Sequence, residues 1–481
     1  MICLLATAMA VGNDMVGSPD LDQCEHKGNP AAIAQDAARR MSFKHGLKPI
    51  QRTMKALEAS TREKPAHIRV LFYGQSIVGQ KWHPLVIDEL KQRYPTAVFE
   101  VRNSAIGGFT SPDLVRTAES DLYPYYPDLL FFHVYGPMDK YEAIVRKVRE
   151  TTTAEIVLWT SHLSRTECDK KEKIERAITE ADVRSRAILD IANRYGCLFI
   201  DLRMKWARMM LDKGYGPDDL LRDGIHMDTK GPGFPAYAKF ISEELLRDPG
   251  ADGDPEPSGT ITEISLDDPR VTRVADGSLS LAFEGNRVVV VSDGSGAGEV
   301  GVSLDGRDVA SFAGMFYATR PSTFVSWMPM IKHVDFAPDI LPVEEEWKLT
   351  YIEGTKPLGN PIHYRVDGSV TGFDGEGWNT NDFRSVSGRV LIAKSDFHTW
   401  QYGYFVKGKE EMKAKDSIPG QTITWAVKPL FKNPLPSVNK AGVHTVVIQN
   451  CPNASHVLTL KPKVGATCGL AGFVVYRPAV R

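Results

Sequence analysis

The chain has 481 residues, of which 25% are charged, with a formal net charge of −2 and six cysteines. This length exceeds a single ordinary core and predicts two or three domains. The near-neutral balance excludes a global field for holding nucleic acid or an anionic membrane, and six cysteines are too sparse for a disulfide scaffold.

The first ten residues, Met1 to Ala10, form a short apolar run with small residues before a polar stretch. They read as the remnant of a secretory signal peptide lacking its basic start, and they predict export. No other run approaches the roughly 18 apolar residues of a membrane span. Residues 11–66 form a polar N-terminal extension, with helix-like stretches at Pro30 to Met41 and Leu47 to Ser60. From His67 the character changes. Apolar runs at Ile68 to Tyr73, Ala97 to Val101, Asp128 to Val134, Glu155 to Thr160 and Cys197 to Leu202 predict five strands. Pro84 to Tyr94, Tyr141 to Arg149 and Lys170 to Tyr195 have helical spacing, and Phe234 to Leu246 reads as a last helix. Buried strands alternating with helices predict an α/β domain over 67–248, a parallel sheet covered on both faces. Residues 249–259 lie in a stretch rich in Asp, Pro and Gly and mark a linker. Beyond it, short β-rich runs such as Asn286 to Val291 and His444 to Ile448, with turn signals at Asp293-Gly294 and Asp305-Gly306, predict a β-sandwich-like region over 260–481. That region is long for one sandwich, so 314–440 is expected to be a large insertion or a second β module. Cys451 and Cys468 flank a hairpin-like segment, and the sequence leaves open whether they pair or remain free thiols.

Ligands of an open parallel sheet bind at the carboxyl ends of its strands. Ser76 follows the first strand there, Asn103 to Thr110 the second, His133 to Asp139 the third and His162 the fourth, while Asp223 and His226 precede the last helix. A serine hydroxyl needs a base to take its proton, and a histidine base works best beside a carboxylate that fixes its tautomer. Ser76, His226 and Asp223 supply that set. Taken singly, Ser76 reads as a turn or cap serine and Asp-Gly-Ile-His as an ordinary loop; their order and placement together favour a serine hydrolase site.

With these residues in place the chain resembles the SGNH or GDSL hydrolase superfamily, mostly esterases, lipases and carbohydrate deacetylases, over residues 67 to 248. Gly74-Gln75-Ser76 matches the nucleophile block in the Gly-Gln-Ser form found among sialate and xylan acetylesterases. Asn103 to Thr110 matches the second block and Asp223 with His226 the last. The resemblance implies a flavodoxin-like three-layer fold followed here by a sandwich or jelly-roll-like region. It also implies oxyanion donors at the backbone N–H groups of Ser76 and Gly108, and a glycan esterase activity without a cofactor. The third block departs from the pattern. It reads Gly136-Pro137-Met138-Asp139, with Met138 where the family carries an oxyanion-binding asparagine, and a thioether donates no hydrogen bond. Loss of one such donor costs about 10²–10³ in rate.

Candidate replacements or substrate contacts are His133, Tyr135, His162 and Arg165, with Gln75, Trp82 and His83 beside the nucleophile, and Asp139 either at the site or capping its helix. The missing asparagine also admits a glycoside hydrolase or polysaccharide lyase on this scaffold, using Asp139, Asp223 or His162 as acid or base. A glycan-binding protein with a decayed site is the third reading. No metal-ligand spacing stands out, His226-Met227-Asp228 offering only two nearby ligands, and no dinucleotide fingerprint is present. The run Gly372 to Asn379 suits a loop that stacks on a sugar ring, or an ordinary Gly-rich turn. The expected partner is therefore a carbohydrate substrate, with no nucleic acid and no membrane span.

Overall fold

The computed structural model describes residues 49–251, 257–323, 329–354, 361–398 and 420–480. The signal-like segment, the helix expected at Pro30 to Met41 and the middle of the linker lie outside them. Of the stretch Leu47 to Ser60, a helix forms over Gln51–Glu58.

Five parallel strands, β1 (His67–Gly74), β2 (Val98–Asn103), β3 (Leu129–His133), β4 (Glu155–Trp159) and β5 (Leu198–Ile200), form one sheet in the order β2-β1-β3-β4-β5. This is the flavodoxin-like strand order. The fold is therefore α/β with a parallel sheet, followed by a β-rich region. β3, β4 and β5 are buried at every position, which is why each reads as an unbroken apolar run. β2 was expected to be equally buried. Instead it is the sheet edge, and Val98 and Val101 are exposed on it.

Helices form at His83–Arg93, Met138–Thr151 and Gly233–Ser242, close to the expected spans. The stretch Lys170 to Tyr195 is two helices and not one, Lys171–Thr179 and Val183–Tyr195. Asp182 breaks the run: its backbone is extended and its side chain accepts from the Ser185 N–H, so it caps the second helix. Two further helices, Ser111–Asp121 and Leu202–Lys213, were not marked by periodicity. Both open on a cap, with Thr110 N–H donating to Asp113 in the first and Asp201 accepting from Met204 N–H in the second.

The contacts of the described residues divide the chain into two compact units. One contains 49–66, 76–97 and 157–251; the other contains 67–75, 98–156 and 257–480. Within the second, an eight-stranded sheet and a six-stranded sheet each pack on their own hydrophobic core. The eight-stranded sheet is built from 259–308 and 435–478, with Leu279–Asp293 paired antiparallel to Ala441–Pro462. The six-stranded sheet lies between those stretches in sequence, running from Phe316–Ala318 to Thr422–Pro429, with Trp347, Leu349, Tyr364, Ile423 and Trp425 in its core. The segment expected to be an insertion or second module thus has a sheet and a core of its own.

That module is tied to helix Ser111–Asp121 by charge. Arg116 makes two hydrogen bonds to Asp396, at 2.9 and 2.7 Å, and one to Asp335 at 2.9 Å. Lys332 meets Asp113 at 2.8 Å, and Arg320 reaches Asp121 at 2.8 Å and the Ser104 carbonyl at 2.8 Å. Asp121 and Asp396 are buried, so these contacts are compensation for desolvated carboxylates more than added stability. Burial still pushes the Asp121 carboxyl upward against the pull of Arg320.

One point the sequence leaves open is answered, and one expectation changes. Cys451 and Cys468 are not paired: both are free thiols, directed at the Gly285 and Gly277 carbonyls. Gly372–Trp378 is an edge strand and not a loop, paired to Ile362–Gly368. Gly377 serves packing, because a Cβ there would stand 2.7 Å from the Phe383 ring. Trp378 stacks on His363 with ring centroids 4.6 Å apart. Among the described residues, no helix is long and apolar enough to cross a membrane.

Candidate active site

β1 runs into Gln75 and then into a single helical turn, Ser76–Gly79, which presents the Ser76 hydroxyl half-buried. Ser76 Oγ lies 2.8 Å from His226 Nε2, and His226 Nδ1 lies 3.0 and 3.1 Å from the two Asp223 oxygens. A carboxylate only accepts, so Nδ1 carries the proton and Nε2 is left to accept from the serine. Asp223 also accepts from the backbone N–H groups of His226, at 2.8 Å, and Ile225, at 3.2 Å, which closes the Asp-Gly-Ile-His turn on itself. Burial raises the Asp223 pKa, but the His226 N–H and the Arg222 guanidinium outweigh it and hold the carboxyl down at about 2. Ser76, His226 and Asp223 thus form one hydrogen-bonded chain, able to move a proton from the hydroxyl while stabilising the imidazolium that results.

The turn carrying Asp223 and His226 is anchored at four successive carbonyls. Gly224 O accepts from Arg165 N–H at 2.8 Å, Ile225 O from His162 Nε2 at 2.7 Å, and His226 O from Arg222 N–H at 2.8 Å. Met227 O accepts from Gln80 Nε2 at 3.0 Å, and Gln80 Oε1 accepts from Met227 N–H at 3.3 Å. Gln80 N–H in turn donates to Ser76 O at 3.0 Å, so one residue links the serine turn to the histidine turn. Gly224 has φ +86°, and a Cβ there would stand 3.3 Å from the Arg165 side chain, which accounts for the glycine between the acid and the base.

No protein-family model matches this chain, and no curated protein matches its sequence. Solved structures do. A two-domain esterase active on acetylated mannans is similar at 14% identity, over 91% of this chain and 98% of that one, with a TM-score of 0.36. An acetylxylan esterase, Axe2 from Geobacillus stearothermophilus, is similar at 21% identity, over 38% of this chain and 96% of that one, with a TM-score of 0.31.

The remaining expected site residues fall elsewhere. Trp82 is fully buried, donating its Nε1 to Ile77 O at 2.7 Å and packing on Trp159 and Tyr237, so it is a core residue and not a substrate contact. His83 opens the helix His83–Arg93, with Nδ1 donating to Gln80 O at 3.1 Å, and burial lowers its pKa. His162 is buried against Trp206 and Tyr237 and spends its Nε2–H on Ile225, so it supports the histidine turn in place of the expected substrate contact. Arg165 pairs with Asp218, its backbone holding Gly224.

In the other compact unit, Gln75 and His133 are buried, and His133 stands edge-on to Tyr135 with centroids 5.4 Å apart. The second block leaves β2 as a loop, with Ser104 N–H donating to Phe72 O and Ile106 N–H to Gly74 O, both at 2.9 Å. Gly108 sits on it exposed, with φ +79°. Met138 is the first residue of the helix Met138–Thr151, and Asp139 is exposed in its first turn, 3.3 Å from Lys140. Asp139 is therefore an acidic side chain in the first turn and not the helix cap, because Pro137 holds the N-cap position without a side-chain cap hydrogen bond. Among the described residues, no group of three His, Cys, Asp or Glu side chains is placed to hold a metal ion.

Two residues near these elements escaped sequence reasoning. Gln80 carries no motif signal beyond being an amide four positions after the serine. His398 packs on Phe109, the residue after Gly108, with centroids 5.0 Å apart, and comes from the β module. No sequence pattern connects residues so far apart.

Proposed function

We propose that the protein is an exported carbohydrate esterase of the SGNH type that removes acyl groups, most concretely acetyl groups, from a glycan. The hydrogen-bonded chain Ser76–His226–Asp223 carries the reading. Ser76 Oγ attacks the acyl carbonyl as His226 Nε2 takes its proton, and Asp223 supports the imidazolium. The oxyanion that forms is met by the backbone N–H group of Ser76. Collapse expels the sugar hydroxyl, which takes the proton back from His226. Water activated by the same histidine then releases the acid and restores Ser76.

Little favours a glycosidase or lyase on the same residues. Asp139 is an exposed helix-terminal carboxylate, His162 is committed to a carbonyl, and Asp223 is committed to His226. A decayed site gives no reason for three side chains to hold hydrogen-bonding geometry.

The test is release of acetate by the purified protein from acetylated mannan, xylan and algal or host glycans, alongside labelling with a serine-directed fluorophosphonate. The expected result is acetate from at least one glycan and stoichiometric label on Ser76. Sugar release from non-acetylated polysaccharide with no label on Ser76 would overturn it.

A further inference from the structure

Two residues, Gly224 and Ile225, separate the acid and base of the proposed triad, and the carbonyl next to the base, Ile225 O, takes its hydrogen bond from the side chain of His162, 63 positions away in the chain. A carbonyl only accepts, so His162 Nε2 carries a proton. The neutral ring then leaves Nδ1 as a bare lone pair, buried and without a hydrogen-bond partner among the described residues. Leaving a polar nitrogen buried and unpaired is unfavourable. A phenylalanine would fill the space against Trp206 and Tyr237 without that cost, so packing alone does not call for histidine here. What histidine adds is the N–H on Ile225.

We propose that His162 is a positioning residue for His226: its Nε2–H fixes the Ile225 carbonyl and thereby the angle at which His226 presents Nε2 to Ser76. The inference rests on the Ser–His–Asp reading above. The neighbouring carbonyls are held by backbone N–H groups or by Gln80, so His162 is the one anchor placed between Asp223 and His226 that comes from a ring. The ring is also kept neutral. Burial pushes its pKa down to about 4 against the opposing pull of Ile225 O and Glu167, with His226 and Arg203 adding to the downward shift. The tautomer that donates to Ile225 is therefore present throughout the neutral range.

A misplacement of about 1 Å in a catalytic group costs up to about 10²-fold in rate. His162→Phe is expected to lower kcat for acetate release by about 10- to 100-fold, with KM changed less than about twofold, and to slow phosphonylation of Ser76 in parallel. His162→Gln, which can return an N–H to the Nε2 position, is expected to recover most of that loss at an equal melting temperature. Imidazole ¹⁵N spectra of the unmodified protein provide a measurement that no folding defect can spoil. They should show His162 as a neutral Nε2–H tautomer from pH 8 down to pH 5. The proposal is overturned by wild-type kcat in His162→Phe, by His162→Gln being as impaired as His162→Phe, or by a His162 that titrates in that range or carries its proton on Nδ1. A wild-type protein that neither releases acetate nor takes the phosphonate overturns the triad reading as well, whereas an active wild type with an unimpaired His162→Phe overturns this inference alone.

Discussion

Ser76→Ala should lower kcat for acetate release by about 10⁴- to 10⁶-fold and abolish fluorophosphonate labelling, while leaving the urea midpoint almost unmoved. The size follows from the position of Ser76 in a hydrogen-bonded unit: when triad members act together, removing the nucleophile costs about as much as removing all of them. Among the described residues, its hydroxyl is the hydrogen-bond partner of His226 Nε2. The stability change should stay within about 0.5 kcal/mol, because Ser76 is half-buried on a short turn and fills no core space. Acetate release at more than a tenth of the wild-type rate would show that the serine is not the nucleophile.

Asp223→Asn is the second large effect, and its origin is the tautomer. An amide can turn its NH₂ toward His226 Nδ1 and force the ring proton onto Nε2, which then faces Ser76 as a donor and cannot take a proton from it. The expected loss in kcat is about 10⁴-fold. The wild-type pH profile bears on the same point. The carboxyl is held down at about 2 in the folded protein, below its usual value near 3.9. A lowered pKa favours the folded state above pH 4, and that contribution disappears as pH falls through about 2. Activity lost between pH 7 and pH 4 therefore does not come from protonation of Asp223. A kcat/KM profile of Asp223→Asn that matched the wild type in height would remove the aspartate from the mechanism.

Much of this arrangement was legible in the sequence, and the misses have physical causes. β3, β4 and β5 read clearly because strands covered on both faces give apolar runs, and β1 reads clearly because its last five positions are buried. Ser76, Asp223 and His226 read clearly because their chemistry needs three side-chain types that rarely fall together in that order. The break before Val183 was missed because the apolar period continues across it; the available signal was Asp182 directly before a periodic run, a cap residue in cap position. Trp82 is a candidate substrate contact in the sequence because it is an aromatic close after the serine, whereas in the fold its Nε1 is satisfied five residues back in the chain, at Ile77. His162 is a candidate oxyanion donor or substrate contact in the sequence because strand-end position brings a side chain near a site without saying which atom it bonds. The two sheets of the β-rich half could not be separated in the sequence, because alternation reports that a strand has one buried face and not which core that face joins.

The separate core of the inserted β module has a consequence for the order of folding. In the eight-stranded sheet, Asp293 pairs with Ala441, 148 positions later, so the host sheet must close a long loop before its longest ladder forms. Both edges of the insertion meet the same strand, Arg307 pairing with Leu304 and Leu435 with Val300. A module folded first shortens that loop to roughly 30 flexible residues, and at about 0.6 kcal/mol per doubling of length the closure becomes about 1.5 kcal/mol less costly. The guest should therefore form before its host. In pulse-labelled hydrogen exchange during refolding, the amides of Leu349 and Tyr364 are expected to gain protection ahead of those of Val289 and Ile448, and the reverse order would count against this route.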